Sequence, residues 1–124
     1  MATLLLVDDD SSILKILYEL FADVYESHTA DRAEQALEYL EVETYDVVIT
    51  DLSMPGLSGD EILRRVRERN PATPVIIISG RLGEETDDWI AAGAFAFFSK
   101  PFQLEEIEDA VIRALAAREQ LVRE

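Results

Sequence analysis

The sequence predicts an α/β domain built on a doubly wound, five-stranded parallel sheet. Short apolar runs rich in β-branched residues alternate five times with longer amphipathic runs of helical period. No low-complexity linker or change of composition divides the 124 residues, which indicates a single domain. Because consecutive parallel strands are joined by right-handed crossovers, we expect helices on both faces of the sheet.

The predicted strands are short and mostly apolar. The second is less apolar than the others, so we expect it at an edge of the sheet. The fourth is the most apolar, so we expect it in the interior with both faces covered. The five runs are Thr3 to Val7, Val24 to His28, Asp46 to Thr50, Pro74 to Ser79 and Phe95 to Ser99.

The first two helices follow the first two strands. The first is predicted to open near Ser11 or Ser12, where a hydroxyl precedes apolar residues at helical spacing. Asp31 with Glu34 forms a capping pair for the second helix. The predicted inner face of that helix carries small and apolar side chains: Ala33, Ala36, Leu37 and Leu40.

The remaining three helices follow strands three, four and five. Ser58 with Glu61 is predicted to cap a helix that ends near Arg69. A helix from about Glu84 to Ala92 ends at Gly93, a residue type common just past a helix terminus. The last helix is predicted from Gln103 onward.

Composition narrows the classes of function. With 26 acidic and 11 basic residues the net charge is -15, which argues against direct binding of nucleic acid or of an anionic membrane. The absence of cysteine excludes disulfides, thiolate metal ligands and a thiol nucleophile. No apolar run could span a bilayer and the N-terminus does not resemble a secretory signal, so we expect a cytoplasmic protein. Residues 119–124 are expected to begin a linker to an effector domain outside this chain.

Polar side chains follow every predicted strand except the edge one. Asp8 and Asp9 follow the first strand, Asp51 follows the third, Ser79 ends the fourth and Lys100 follows the fifth. The carboxyl ends of parallel strands meet at one edge of the sheet, where ligands bind in such folds. Three carboxylates there suit a hard divalent cation such as Mg²⁺, and the lysine ammonium with the metal would balance their charge.

With these residues the sequence resembles the receiver domain of two-component response regulators over essentially its whole length. The matching motifs are the acidic pair Asp8 and Asp9, DLSMPGLSG from Asp51, Ser79 with Gly80, GAFAFF from Gly93, and KPF from Lys100. The resemblance implies a flavodoxin-like (βα)5 fold with strand order 2-1-3-4-5.

The resemblance also implies roles for the acidic residues. Asp51 would accept a phosphoryl group from a histidine kinase or a histidine phosphotransfer partner. Asp8, Asp9 and Asp51 would hold Mg²⁺ together with the backbone carbonyl of Ser53. The chemistry suits these residues, because phosphoryl transfer needs mainly positioning and charge neutralisation.

Further residues would transmit the phosphorylation. The resemblance implies that Lys100 binds the phosphoryl group as a compact cation, presented by a cis peptide bond to Pro101. Ser79, followed by the small Gly80, would donate its hydroxyl to a phosphoryl oxygen. Phe97 would then turn inward and change the output surface formed by the fourth helix, fifth strand and fifth helix.

The expected output surface is strongly acidic. Its helices carry eight acids: Glu84, Glu85, Asp87, Asp88, Glu105, Glu106, Glu108 and Asp109. In a two-fold dimer these acids would face one another unless Arg113 and Arg118 reached across the interface. We therefore expect the isolated domain to be a monomer and to act through an effector domain or downstream protein.

A second hypothesis assigns an enzyme. Asp8, Asp10 and Ser12 fit the D-x-D-x-[ST] nucleophile motif of haloacid dehalogenase-type phosphatases, with Asp8 as nucleophile. Those enzymes need another acidic pair after the lysine, whereas Lys100 is followed by Pro101 and the last helix. A receiver that binds partners without phosphorylation is a third hypothesis, against which the complete set of site residues argues. A signalling domain that is not an enzyme is the favoured interpretation.

Four residues near or outside this site have structural interpretations. Asp10 is expected to be a helix-start acid. His28, the single histidine, is expected to be a surface residue. Trp89 and Phe95 are expected to belong to the core, as large apolar residues usually do.

Overall fold

A computed structural model describes residues 1–52, 59–80 and 86–123. Strands and helices alternate through these residues as predicted. The strands are β1 (Thr3–Val7), β2 (Glu26–Ala30), β3 (Val47–Asp51), β4 (Val75–Ser79) and β5 (Ala96–Ser99). The helices are α1 (Ser11–Phe21), α2 (Ala33–Val42), α3 (Gly59–Arg69), α4 (Thr86–Ala91) and α5 (Leu104–Arg123).

The strands form one parallel sheet in the order β2-β1-β3-β4-β5, which confirms the expected order. β2 lies at an edge, and its side chains are mostly half-buried or exposed. Every residue of β4 is buried, as expected for an interior strand. The register pairs Val7 with Thr50, Asp51 with Ile78 and Ser79 with Ser99, so the carboxyl ends of four strands lie side by side.

Apolar side chains alternate along the strands and build one core layer on each face of the sheet. On one face they pack against α2, α3 and α4, with Ala36, Ile62 and Trp89 as helix contacts. On the other face they pack against α1 and α5, with Leu17 and Ile107 buried completely. The two layers hold the sheet rigidly and leave its carboxyl edge free to carry polar groups.

The second strand begins two residues later than predicted. After α1, the backbone N–H groups of Val24 and Tyr25 donate to the carbonyl of Phe21, which keeps both residues in a turn. Pairing with β1 begins only at Glu26, whose N–H donates to the Ala2 carbonyl at 2.9 Å. The prediction of Val24 to His28 was therefore wrong by two residues at each end, because the helix-terminal turn uses Val24 and Tyr25 and pairing with β1 continues to Ala30.

The predicted cap of α2 is also wrong. Arg32 occupies the N-cap position without a side-chain hydrogen bond, and the Asp31 backbone N–H donates to Gln35 Oε1 at 3.2 Å. In α1 the expected role of Asp10 is confirmed. Its carboxylate accepts from the N–H groups of Ser12 and Ile13 at the first turn.

Gly93 follows α4 with a φ of +111°, in the left-handed region that glycine adopts without strain. A β-carbon at this position would lie 2.8 Å from Cδ of Arg67, so the site also lacks space for a side chain. Ser58 and Glu84, which were predicted to start helices, and Glu85 of the expected output surface lie outside the described residues. Among the helices described here, none is long and apolar enough to cross a membrane.

Candidate functional site

The carboxyl edge of the sheet gathers the predicted site residues. Asp8 follows β1, Asp51 ends β3 and Ser79 ends β4, and all three are buried. Lys100 follows β5, and its backbone N–H donates to the Ser79 carbonyl at 2.7 Å, which fixes the start of its loop against β4. Neighbouring parallel strands thus bring together residues that are up to 92 positions apart (100 − 8) in the sequence.

Three carboxylates form a compact cluster at this edge. Asp8, Asp9 and Asp51 each offer one carboxylate oxygen, and these oxygens lie within 4.8 Å of one another. Asp8 and Asp51 are buried, whereas Asp9 is exposed, so the cluster is open on one side. All donors are oxygen atoms and the cluster is strongly negative, which fits the ligand preference of Mg²⁺.

Lys100 is the counter-charge of the cluster. Its Nζ lies 3.0 Å from Asp8 Oδ2 and 3.5 Å from Asp51 Oδ1. Burial lowers the pKa of Lys100, but the hydrogen bonds and charges of Asp8 and Asp51 outweigh this effect and raise it. The ammonium therefore stays charged beside the carboxylates. The Lys100–Pro101 peptide bond is cis, as the resemblance implied.

The surroundings of Asp8 disfavour its ionised form. Its Oδ1 accepts from the backbone N–H of Asp10 at 2.8 Å, and its Oδ2 contacts Lys100. Burial nevertheless raises the pKa of Asp8, against the lowering effects of Asp10 and Lys100 and with a smaller contribution from Asp9. One Lys100 charge does not offset three carboxylates, so a further cation would stabilise the ionised cluster.

The predicted switch residues lie next to this cluster. Ser79 is 1 % exposed at the end of β4. Phe97 lies opposite Ile77 on the edge strand β5 and is half-buried against the core layer that faces α2 to α4. A β-carbon at Gly80 would make only an ordinary contact with Lys100 Cδ at 3.7 Å, so space alone does not require glycine there. Ser53 lies outside the described residues, and its carbonyl ligand stays a prediction.

The structure corrects the interpretation of His28. Its side chain is 26 % exposed and its Nδ1 lies 2.8 Å from the hydroxyl of Tyr45, with Glu26 and Glu43 also in contact. An edge strand of a two-layer sheet still turns one face toward its flanking helix, so His28 is half-buried beside α2. Trp89 and Phe95 pack partly buried against the core, as expected.

Asp10 is a contributor that sequence reasoning undervalued. Besides capping α1, it supplies the backbone N–H that holds Asp8 in place. The sequence signal for this role is the position of Asp10 directly after the acidic pair and before the helix. The phosphatase hypothesis, with Asp8 as nucleophile, is not supported, because the family that matches the chain is a different one, as the comparisons below show.

Comparison with known proteins gives the same picture. The family model described as the response regulator receiver domain matches residues 4–112. The cell cycle response regulator CtrA of Brucella ovis is 33% identical over 105 residues, which are 83% of this chain and 45% of CtrA. The chain thus spans less than half the length of this curated relative.

Solved structures are similar over nearly the whole chain. A response regulator receiver domain protein from Clostridium thermocellum has a TM-score of 0.89 at 33% identity, covering 98% of this chain and 99% of that one. The response regulator TrrA from Thermotoga maritima, in complex with Mg²⁺ and BeF, has a TM-score of 0.82 at 31% identity, covering 93% and 100%. With its fold and its strand-end residues, the chain belongs to the response regulator receiver domain family.

Proposed function

We propose that Asp51 is the phosphoacceptor of this receiver domain and that its phosphoryl donor is a histidine kinase or a histidine phosphotransfer protein. The observation that carries this proposal is that the Asp51 carboxylate lies in one cluster with two other carboxylates and also contacts Lys100. A carboxylate oxygen of Asp51 would attack the phosphorus, and the bond from phosphorus to the donor imidazole would break. The product is an acyl phosphate on Asp51, and the freed imidazole leaves with the donor protein.

Asp8 and Asp9 would hold Mg²⁺ together with Asp51 and the carbonyl of Ser53. When bound there, Mg²⁺ would supply positive charge that neutralises the phosphoryl group during transfer. Lys100 already contacts Asp51 and would move only its flexible stem to pair with the phosphoryl group. Asp8 would supply negative charge to the metal site and position Lys100, whose Nζ lies 3.0 Å from its Oδ2.

The signal would leave the site through β4 and β5. Ser79 would donate its hydroxyl to a phosphoryl oxygen, and half-buried Phe97 would pack further inward, with Gly80 and Pro101 shaping the adjoining loops. Complete burial of a phenylalanine is worth at most about 1.5–3 kcal/mol, which sets the upper limit of this bias. The surface of α4, β5 and α5 would then engage an effector domain or a downstream protein in the cytoplasm, where receiver domains typically act.

Phosphorylation with a small donor tests the assignment of Asp51. Wild-type protein incubated with acetyl phosphate and Mg²⁺ is expected to give a shifted band on a phosphate-affinity gel. Asp51→Asn is expected to abolish the shift, while Asp60→Asn, an exposed acid at the start of α3, should leave it unchanged. Labelling of Asp51→Asn at the wild-type level, with loss of the label in Asp8→Asn, would instead identify Asp8 as the acceptor.

A further inference from the structure

A second concave site lies at the opposite edge of the sheet from the carboxylate cluster. The segments that precede β4 and β5 and the last turns of α3 and α5 enclose a cavity of about 260 Å³. Its walls are largely apolar, with Pro74, Ile90, Phe95 and Leu121 among them. We call this space the basal cavity. It shares no residue with the site proposed for phosphorylation.

Two arginines also line the basal cavity, and of its described lining residues none is acidic. Arg118 forms an ion pair with Asp46 at 3.1 Å, so its charge is compensated within the chain. Arg67 donates only to the neutral backbone carbonyl of Thr73. Among the described residues it makes no contact with a carboxylate. The other half-buried arginines described, Arg65 and Arg118, each pair with one, at 3.6 Å and 3.1 Å.

An uncompensated arginine is unexpected in this chain, where acids outnumber bases by 26 to 11. The stem of Arg67 lies close to the backbone of Gly93, where a β-carbon would come within 2.8 Å of its Cδ. Its Nε–H is buried and has no acceptor, and burial lowers the pKa of the guanidinium. A half-buried cation and a buried donor without partners both cost free energy, which an incoming anion would recover.

We propose that the basal cavity binds a small monocarboxylate with an apolar body. The carboxylate would pair with the guanidinium of Arg67, and the apolar body would lie against Ile90, Phe95 and Leu121. One uncompensated charge matches a monoanion, and the planar guanidinium matches a carboxylate in geometry. The apolar walls, which offer few further donors, would leave a phosphate dianion poorly satisfied. The volume of 260 Å³ suits a molecule of about ten heavy atoms.

Benzoate is a suitable probe, with benzamide as its neutral analogue of the same shape. In ¹H–¹⁵N spectra of ¹⁵N-labelled protein, benzoate is expected to cause saturable shifts of amides near Gly93, Phe95 and Leu121 with a millimolar dissociation constant. Benzamide is expected to bind at least tenfold more weakly, because it lacks the charge that pairs with Arg67. Equal binding of the two probes, or shifts that do not saturate, would overturn the proposal.

Two arginine variants on α3 distinguish benzoate binding in the basal cavity from nonspecific charge attraction. Arg67→Gln is expected to weaken benzoate binding at least tenfold. Arg64→Gln removes an exposed arginine that pairs with Glu61 and Glu68 outside the cavity, and should leave binding unchanged. Equal losses in both variants would show nonspecific attraction. If Arg67→Gln does not fold, the comparison of benzoate with benzamide on wild-type protein decides the question alone. Neither result depends on phosphorylation of Asp51, so the two proposals fail independently.

Discussion

Replacing Asp8 by asparagine is expected to stabilise the metal-free domain, although it removes one partner of an ion pair. Asparagine has nearly the same shape, and its Oδ1 can still accept from the Asp10 backbone N–H, which lies 2.8 Å from Oδ1 in the wild type. The substitution removes the negative charge and also the contact with Lys100, because the amide nitrogen takes the place of Oδ2. The sign of its effect on stability depends on whether Lys100 favours the Asp8 carboxylate more strongly than its burial and the repulsion from Asp9 and Asp51 disfavour it.

The distances decide the sign. At an effective dielectric near 20, the 3.0 Å contact of Asp8 with Lys100 is worth about 5.5 kcal/mol of attraction. Each neighbouring carboxylate within 4.8 Å costs about 3.5 kcal/mol or more, about 7 kcal/mol for the two. Solvent screens part of the repulsion from exposed Asp9, while complete burial of Asp8 adds a desolvation cost. The net expectation is a gain of about 1–2 kcal/mol in the free energy of unfolding for Asp8→Asn.

Urea denaturation in the presence of a chelator measures this difference. Asp23→Asn is the control for net charge, because Asp23 is exposed and lies in the turn after α1. Mg²⁺ at ten times its dissociation constant should stabilise the wild type by about 1.4 kcal/mol and Asp8→Asn by much less. If Asp8→Asn is less stable than the wild type in chelator, attraction by Lys100 dominates and the reasoning is wrong.

Without metal, the difference in stability between the wild type and Asp8→Asn is expected to depend on pH. Burial raises the folded-state pKa of Asp8 above its ordinary value, so the folded state holds the proton more tightly than the unfolded state. Stability from this group is complete below the unfolded pKa and is lost as pH rises through the folded one. The advantage of Asp8→Asn should therefore be full at pH 7 and shrink on acidification. An advantage that grows toward acid pH would contradict this sign.

Three further expectations follow from the structure. Lys100→Arg should bind Mg²⁺ but support weak output in a kinase-coupled assay, because a planar fork replaces a compact ammonium; full output would refute the point-charge argument. Gly93→Ala should lower the free energy of unfolding by about 1–3 kcal/mol in urea, since φ is +111° and Arg67 leaves no space; an unchanged midpoint would refute it. The beryllofluoride–Mg²⁺ form should sediment as a monomer, because Arg118 is held by Asp46; a tight dimer would refute that expectation.

Much of the architecture follows from local signals in the sequence. The alternation of apolar strands with amphipathic helices predicted the five βα units, and the low apolarity of the second strand predicted its edge position. Because parallel strands share one carboxyl edge, Asp8, Asp51, Ser79 and Lys100 could be assigned to a single site before any distance was known. The family motifs pointed to the same residues.

Other features depend on contacts that no local pattern encodes. The start of β2 at Glu26 depends on a turn to Phe21, and the first turn of α2 involves Gln35 rather than the expected pair of Asp31 and Glu34. Several neighbouring residues have a similar propensity to start a strand or to cap a helix. Packing in the folded chain selects among them.

The interaction energies at the site are determined by the tertiary structure alone. The sequence by itself determined that three carboxylates and a lysine meet, since that follows from strand order and periodicity. Only the folded chain decided that Asp8 is buried against Lys100 and that Arg67 has no carboxylate partner among the described residues. The physical reason is that the interaction energy of charges depends on distance and burial. Both are set by crossovers and helix packing between residues far apart in the sequence.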